Sequence, residues 1–180
     1  MIQTLRTALT ALIGALLLGG CWTSDEQLLP GAVARPLADG VFRNGKDSIS
    51  LKRADDGYYD AVETREGETP TTAVVGFEAL PELDREGRRA FAYQALDDGN
   101  GLYSYGLALV DGTGFFWLEP QCNGNAKDEA AVRIATAHDA IASAGDADGE
   151  CTFTTTASLK AALGVYAREA KYGTMWTRQP

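Results

Sequence analysis

Imidazole chemistry in this chain can come from one residue, His138, which stands beside Asp139. Any acid–base or triad mechanism that uses histidine must use it, yet the Ala-rich pattern around it predicts a helix, where a solvated or partly packed imidazole is the simpler account. Ser104-Tyr105-Gly106 supplies half of a Gly-x-Ser-x-Gly nucleophile elbow, but inside a strand pattern and not at a strand-to-helix turn. Paired carboxylates suited to acid–base work occur at Asp97/Asp98 and Asp55/Asp56. Both pairs precede a glycine in a turn signal, where Asp is favoured because it bonds its own backbone. Asp146-Ala147-Asp148-Gly149 has the opening of a calcium loop, but the EF-hand spacing would put ligands at Ala144 and Thr155, which cannot supply the terminal carboxylates. Two cysteines and one distant histidine lack the short ligand spacings of a zinc site. Neither a phosphate loop ending in Lys-Ser or Lys-Thr nor a dinucleotide fingerprint is present. Phe115, Phe116 and Trp117 could line a groove, although large aromatics in strands usually pack inside. The reading therefore nominates no catalytic residue, no metal ligand, no cofactor and no ligand-binding residue.

The amino terminus is more specific. Arg6 precedes an apolar stretch, Thr7 to Leu18, too short to span a bilayer as a finished helix and suited to a signal peptide. It ends in Leu18-Gly19-Gly20-Cys21, and here the sequence resembles bacterial prolipoproteins, whose lipobox places Leu, two small residues and Cys at the cleavage site. The resemblance covers residues 1 to 21 only. It implies thioether lipidation of Cys21, cleavage before it and acylation of the new amino terminus, typically with palmitate. Trp22, where some lipoproteins carry Asp, resembles those forwarded to the outer membrane. The expected location is thus the bacterial cell envelope, lipid-anchored at the outer membrane and facing the periplasm. With Cys21 lipidated, Cys122 and Cys151 remain in an oxidising compartment and are expected to form a disulfide.

Loss of residues 1 to 20 removes one arginine and no acid, taking the formal charge of the chain from −9 to −10. Nucleic acid is disfavoured as a partner by that sign. Charge attraction to anionic lipid is disfavoured too, so the bilayer would be held through the acyl chains of Cys21 alone. Residues 21 to 36, punctuated by Pro30, Gly31 and Pro36 and without sustained periodicity, suggest a lipidated tether. Residues 37 to 180 then form a single globular domain.

Whatever this body binds must be positioned by its strands. From Val41 to Glu119 turn chemistry recurs at Asn44-Gly45, Asp56-Gly57, Glu66-Gly67, Asp98-Gly99-Asn100-Gly101 and Asp111-Gly112, with β-branched and aromatic residues between. A two-residue hairpin at Gly112-Thr113 would pair Leu109 with Phe116, Leu107 with Leu118, Val110 with Phe115 and Ala108 with Trp117. The run from Ala90 to Leu96 would set Phe91 beside Ala108 and Tyr93 beside Gly106. Both faces of these central strands are apolar, which demands a curled sheet or covering helices. One helix is predicted from Asn125 or Asp128 to about Ser143, with Ala130, Ile134, Ala137 and Ile141 on one face; a second starts near Thr156, with Leu159, Leu163, Tyr166 and Ala170 on its stripe and Gly173 as its stop. Cys151 to Thr155 reads as a short strand between them. The expected fold class is α+β: an antiparallel meander of about seven strands, then helix, short strand, helix.

Two function classes fit. The first is a non-catalytic envelope lipoprotein that binds a protein or cell-wall component, an acidic version being a periplasmic inhibitor or immunity protein against a basic hydrolase or toxin. The second, disfavoured by the missing constellations, is an envelope hydrolase using carboxylates.

Overall fold

A computed structural model describes residues 22–97, 101–122, 129–142 and 150–180. Its strands in chain order are β1 (Trp22–Ser24), β2 (Gly40–Asn44), β3 (Asp47–Arg53), β4 (Tyr59–Thr64), β5 (Thr71–Ala79), β6 (Arg89–Asp97), β7 (Tyr103–Val110), β8 (Gly114–Leu118), β9 (Ile141–Ala142), β10 (Cys151–Thr152) and β11 (Trp176–Arg178). The helices are α1 (Glu129–Ala137) and α2 (Thr156–Glu169).

The expected α+β class is corrected by the way the sheet ends. β2 to β8 pair antiparallel in chain order, and β11 enters between the two free edges, pairing with β8 at Trp176↔Phe115 and with β2 at Thr177↔Arg43. The result is a closed eight-stranded antiparallel barrel, mostly β, in place of an open meander with helices behind it. Closure removes both exposed edges. Gly114 permits it: a Cβ there would collide with the Trp176 carbonyl oxygen.

Eight strands enclose an interior just wide enough for side chains to fill. The inward positions alternate along each strand: Ile49 and Leu51 on β3, Tyr59 and Ala61 on β4, Val75 and Phe77 on β5, Phe91 and Tyr93 on β6, Phe115 and Trp117 on β8. Rings meet edge to face between Phe42 and Phe115 at 5.2 Å and between Tyr59 and Phe77 at 5.5 Å, while Tyr93 stacks on Trp117 at 4.1 Å. Tyr93 has room because its cross-strand partner is Gly106, where a Cβ would lie 2.6 Å from the Tyr93 hydroxyl oxygen. The hairpin register expected for Leu107 to Leu118 is the register found, as are the Phe91–Ala108 and Tyr93–Gly106 pairs.

A second core lies outside the barrel. The outer faces of β6 and β7 present Ala90, Ala92, Tyr105, Leu107 and Leu109 to α1, α2 and the amino-terminal segment, so β7 is buried on both faces. A flap extends from the first half of β7: β1 pairs with it at Thr23↔Ser104, β10 runs parallel to β1, and β9 forms the outer edge. Cys122, just past β8, is joined to Cys151 of β10.

The stretch from Trp22 to Pro36, for which the sequence suggests a tether, is folded onto this body. Trp22, Leu29 and Ala32 are fully buried. The Leu28 amide donates to the Tyr105 hydroxyl at 3.0 Å, the Leu29 amide to Gln94 Oε1 at 3.2 Å, and the Ala34 amide to the Phe77 carbonyl at 2.8 Å. Each of these bonds has a different distant partner, which is why no periodicity announces the segment. α1 also departs from expectation. It stops at Ala137, Asp139 takes a left-handed φ of 62°, and Ile141 joins β9 instead of the apolar face of the helix. α2 begins as expected, with the Thr155 side chain accepting from the Ser158 amide at 3.2 Å, and ends at Glu169 before the predicted stop.

Candidate functional site

Among the described residues, the candidates weighed in the sequence are not brought together. His138 is half-buried in the turn after α1, with its amide donating to the Ala135 carbonyl. Asp56 accepts the Tyr58 amide at 3.1 Å, a local turn bond of the kind its position suggested, beside the exposed Asp55. Asp97 ends β6, while Asp98 and the Asp146-Ala147-Asp148-Gly149 run lie outside the described residues. Cys21, too, lies outside them. Ser104 is buried in β7, its hydroxyl donating to the Ala95 carbonyl at 3.4 Å. Phe115 and Trp117 turn into the barrel, whereas Phe116 points outward, beneath the Arg88 guanidinium and beside Tyr172. Among the described residues, no group of His, Cys, Asp and Glu could hold a metal ion, and no helix is long and apolar enough to cross a membrane.

The structure instead gathers ionisable groups that the sequence reading missed. On β4 the inward series Tyr59, Ala61 continues to Glu63, which sits opposite Ile49 on β3 and Thr71 on β5 and is only 3% exposed. On the chain leaving β8, Phe115 and Trp117 are followed at the same spacing by the half-buried Glu119. Arg65 bridges to Glu63, Nε to Oε1, at 3.0 Å. Tyr93 and Trp117 form the adjacent stacked floor. A period of two, followed past the last apolar residue of each strand, was the available signal for both carboxylates.

Burial sets their protonation. It pushes Glu119 up to about 8, helped by the nearby Glu63 charge and opposed by Arg65 and the Trp117 indole. Glu63 is raised for the same first reason, and Asp47 and Glu68 add repulsion, while its bond and charge interaction with Arg65 pull the other way. Tyr93 is held well above the ordinary phenol value, by burial first and then by the Glu119 charge. Trp117 Nε1 is buried and meets no acceptor in hydrogen-bond geometry. Two carboxyl groups thus compete for one guanidinium in a poorly solvated setting. Glu119 keeps a proton near neutral pH, which makes it a weak acid beside an ion-paired carboxylate.

Apart from this cluster, a concave region lies along the β2–β11 seam. This open groove of about 610 Å³ is lined by Gly40, Val41, Arg43, Arg178, Gln179 and Pro180. Arg178 is held there by donating to the Asp39 carbonyl at 2.8 Å. No protein family, curated protein or solved structure matches the chain.

Proposed function

We propose that the chain is a lipid-anchored lipoprotein of the bacterial cell envelope whose barrel body binds a protein or cell-wall partner and catalyses nothing itself. One observation carries the binding half of this reading: the barrel interior is occupied by the protein's own large side chains. Phe42, Tyr59, Phe77, Phe91, Tyr93 and Phe115 are each at most 2% exposed. A barrel filled in this way serves as a scaffold, and a partner is met on its outer wall or its ends. Leu18-Gly19-Gly20-Cys21 carries the anchoring half, with acyl chains contributing roughly 0.8 kcal/mol per buried methylene. The charge of −10 favours a basic partner, as an inhibitor or immunity protein would have.

The raised carboxyl of Glu119 beside Glu63 favours one competing reading, an envelope hydrolase in which Glu119 is the general acid. Fractionation and affinity capture separate the two. Cys21→Ser should lose palmitate labelling and leave the membrane fraction; continued labelling overturns the anchor. The detergent-solubilised wild-type lipoprotein should co-purify with a defined envelope component and leave glycan and peptide substrates intact. Turnover that disappears in Glu119→Gln, with the fold retained, would replace the binding reading with the hydrolase.

A further inference from the structure

We infer that the body sits directly on the bilayer with no tether, and that the outer edge of the flap at Ile141 is its lipid-facing surface. The inference rests on the lipid-anchor reading above and adds to it where the anchor leaves the fold.

Trp22, the residue after Cys21, is 0% exposed, with its ring 5.2 Å from Phe153 and 5.4 Å from Tyr166. Its strand is paired on both sides, to β7 through Thr23↔Ser104 and to β10 through Trp22↔Cys151. Further bonds fix the strand: the Phe153 amide donates to the Thr23 carbonyl at 2.9 Å, and the Glu26 amide to the Ser24 hydroxyl at 3.0 Å. The residue facing Trp22, Cys151, is itself tied to Cys122. A single peptide unit, about 3.8 Å between Cα atoms, is therefore all that separates the acyl-bearing residue from a locked strand. Beyond it only the Cys21 side chain and its glycerol, which themselves occupy the headgroup layer, link the strand to the acyl chains. Acyl chains inserted from Cys21 therefore hold the flap against the headgroups.

What the flap presents there suits a lipid surface. Ile141, on the outermost strand and opposite Thr152, is 65% exposed, the most exposed large apolar side chain among the described residues. It stands two strand spacings from β1, roughly 10 Å across the sheet. The flap extends sideways from the first half of β7, so its contact leaves β2 and β3, across the eight-stranded ring from β7, toward the aqueous compartment.

The test uses the full lipidated chain in vesicles containing headgroup-labelled quencher lipid, with a fluorophore on Ile141→Cys or, as the control across the barrel, on Lys46→Cys in the β2–β3 turn. The 141 probe should lose fluorescence and the 46 probe should not. Inserting about ten Gly/Ser residues between Cys21 and Trp22, a span of roughly 17 Å, should restore the signal at 141 while leaving the protein membrane-bound. Palmitate labelling of each sample separates the two layers of argument, since an unlabelled chain overturns the anchor itself. A labelled, membrane-bound chain whose 141 probe stays bright, as it would under a protein cover, overturns the docking. So does quenching that the insertion leaves unchanged.

Discussion

Glu119 carries the clearest pH signature at the scale of single residues. Its folded pKa of about 8 lies above the ordinary carboxyl value of 4.5, so the folded state holds a proton that the unfolded chain has already released. Its contribution to stability is therefore fully present below about pH 4.5 and is lost as the pH rises toward 8. Glu63 is shifted in the same direction and adds to the slope. Glu119→Gln, which keeps the shape and removes the titration, should flatten much of the fall in thermal stability between these pH values and make the variant the more stable protein at pH 9. Melting curves of both proteins across this range check it, and an unchanged slope in the variant would mean that Glu119 is solvated in the folded state. The sequence reading passed over both carboxylates because it searched for adjacent pairs. Asp55/Asp56 and Asp97/Asp98 are neighbours along the chain, whereas Glu63 and Glu119 are brought close only by barrel closure.

Elements whose signals are local were read correctly. The β7–β8 hairpin follows from its turn, in which Asp111 Oδ1 accepts both the Thr113 amide at 2.8 Å and the Gly114 amide at 3.1 Å, and from apolar residues that match across it. Elements defined by distant partners were not. The helical pattern of Ala130, Ile134, Ala137 and Ile141 continues past the point where α1 ends, because the left-handed Asp139 redirects the chain so that Ile141 pairs with β10. Helix propensity here yields to long-range pairing. The disulfide is the covalent form of that long-range order, tying the exit of β8 to the flap across a sequence separation of 29. Cys122→Ala combined with Cys151→Ala should lower stability by about 2 to 5 kcal/mol. Hydrogen exchange should show the loss concentrated in β1, β10 and α2, with the amides of β3 to β6 remaining protected. Uniform loss across the barrel would show that flap and barrel unfold as one unit.

At the scale of the whole molecule, the short β11 distinguishes a closed barrel from a curled sheet. Trp176, Thr177 and Arg178 are too few to register as a strand in the sequence, and they follow the predicted helix stop at Gly173. Yet β11 pairs with two strands that have no other partner on those sides. Its Trp176 ring lies parallel to Phe115 at 6.2 Å inside the barrel, and the Gln179 amide donates to the Val41 carbonyl at 2.8 Å just beyond it. Deleting residues 175 to 180 would leave β2 and β8 as open edges, strip Phe42 and Phe115 of cover and expose unpaired backbone on both. The truncated protein should bind a hydrophobic dye and associate through those edges, a change read as a larger species in sizing chromatography. The outer core of α1, α2 and the amino-terminal segment gathers outward residues of β6, β7 and β8, and none of its residues belongs to β2 or β11, so it does not replace the cover that β11 gives. A truncated chain that stays monomeric, binds no dye and melts like the full protein would show that the seven strands close without β11.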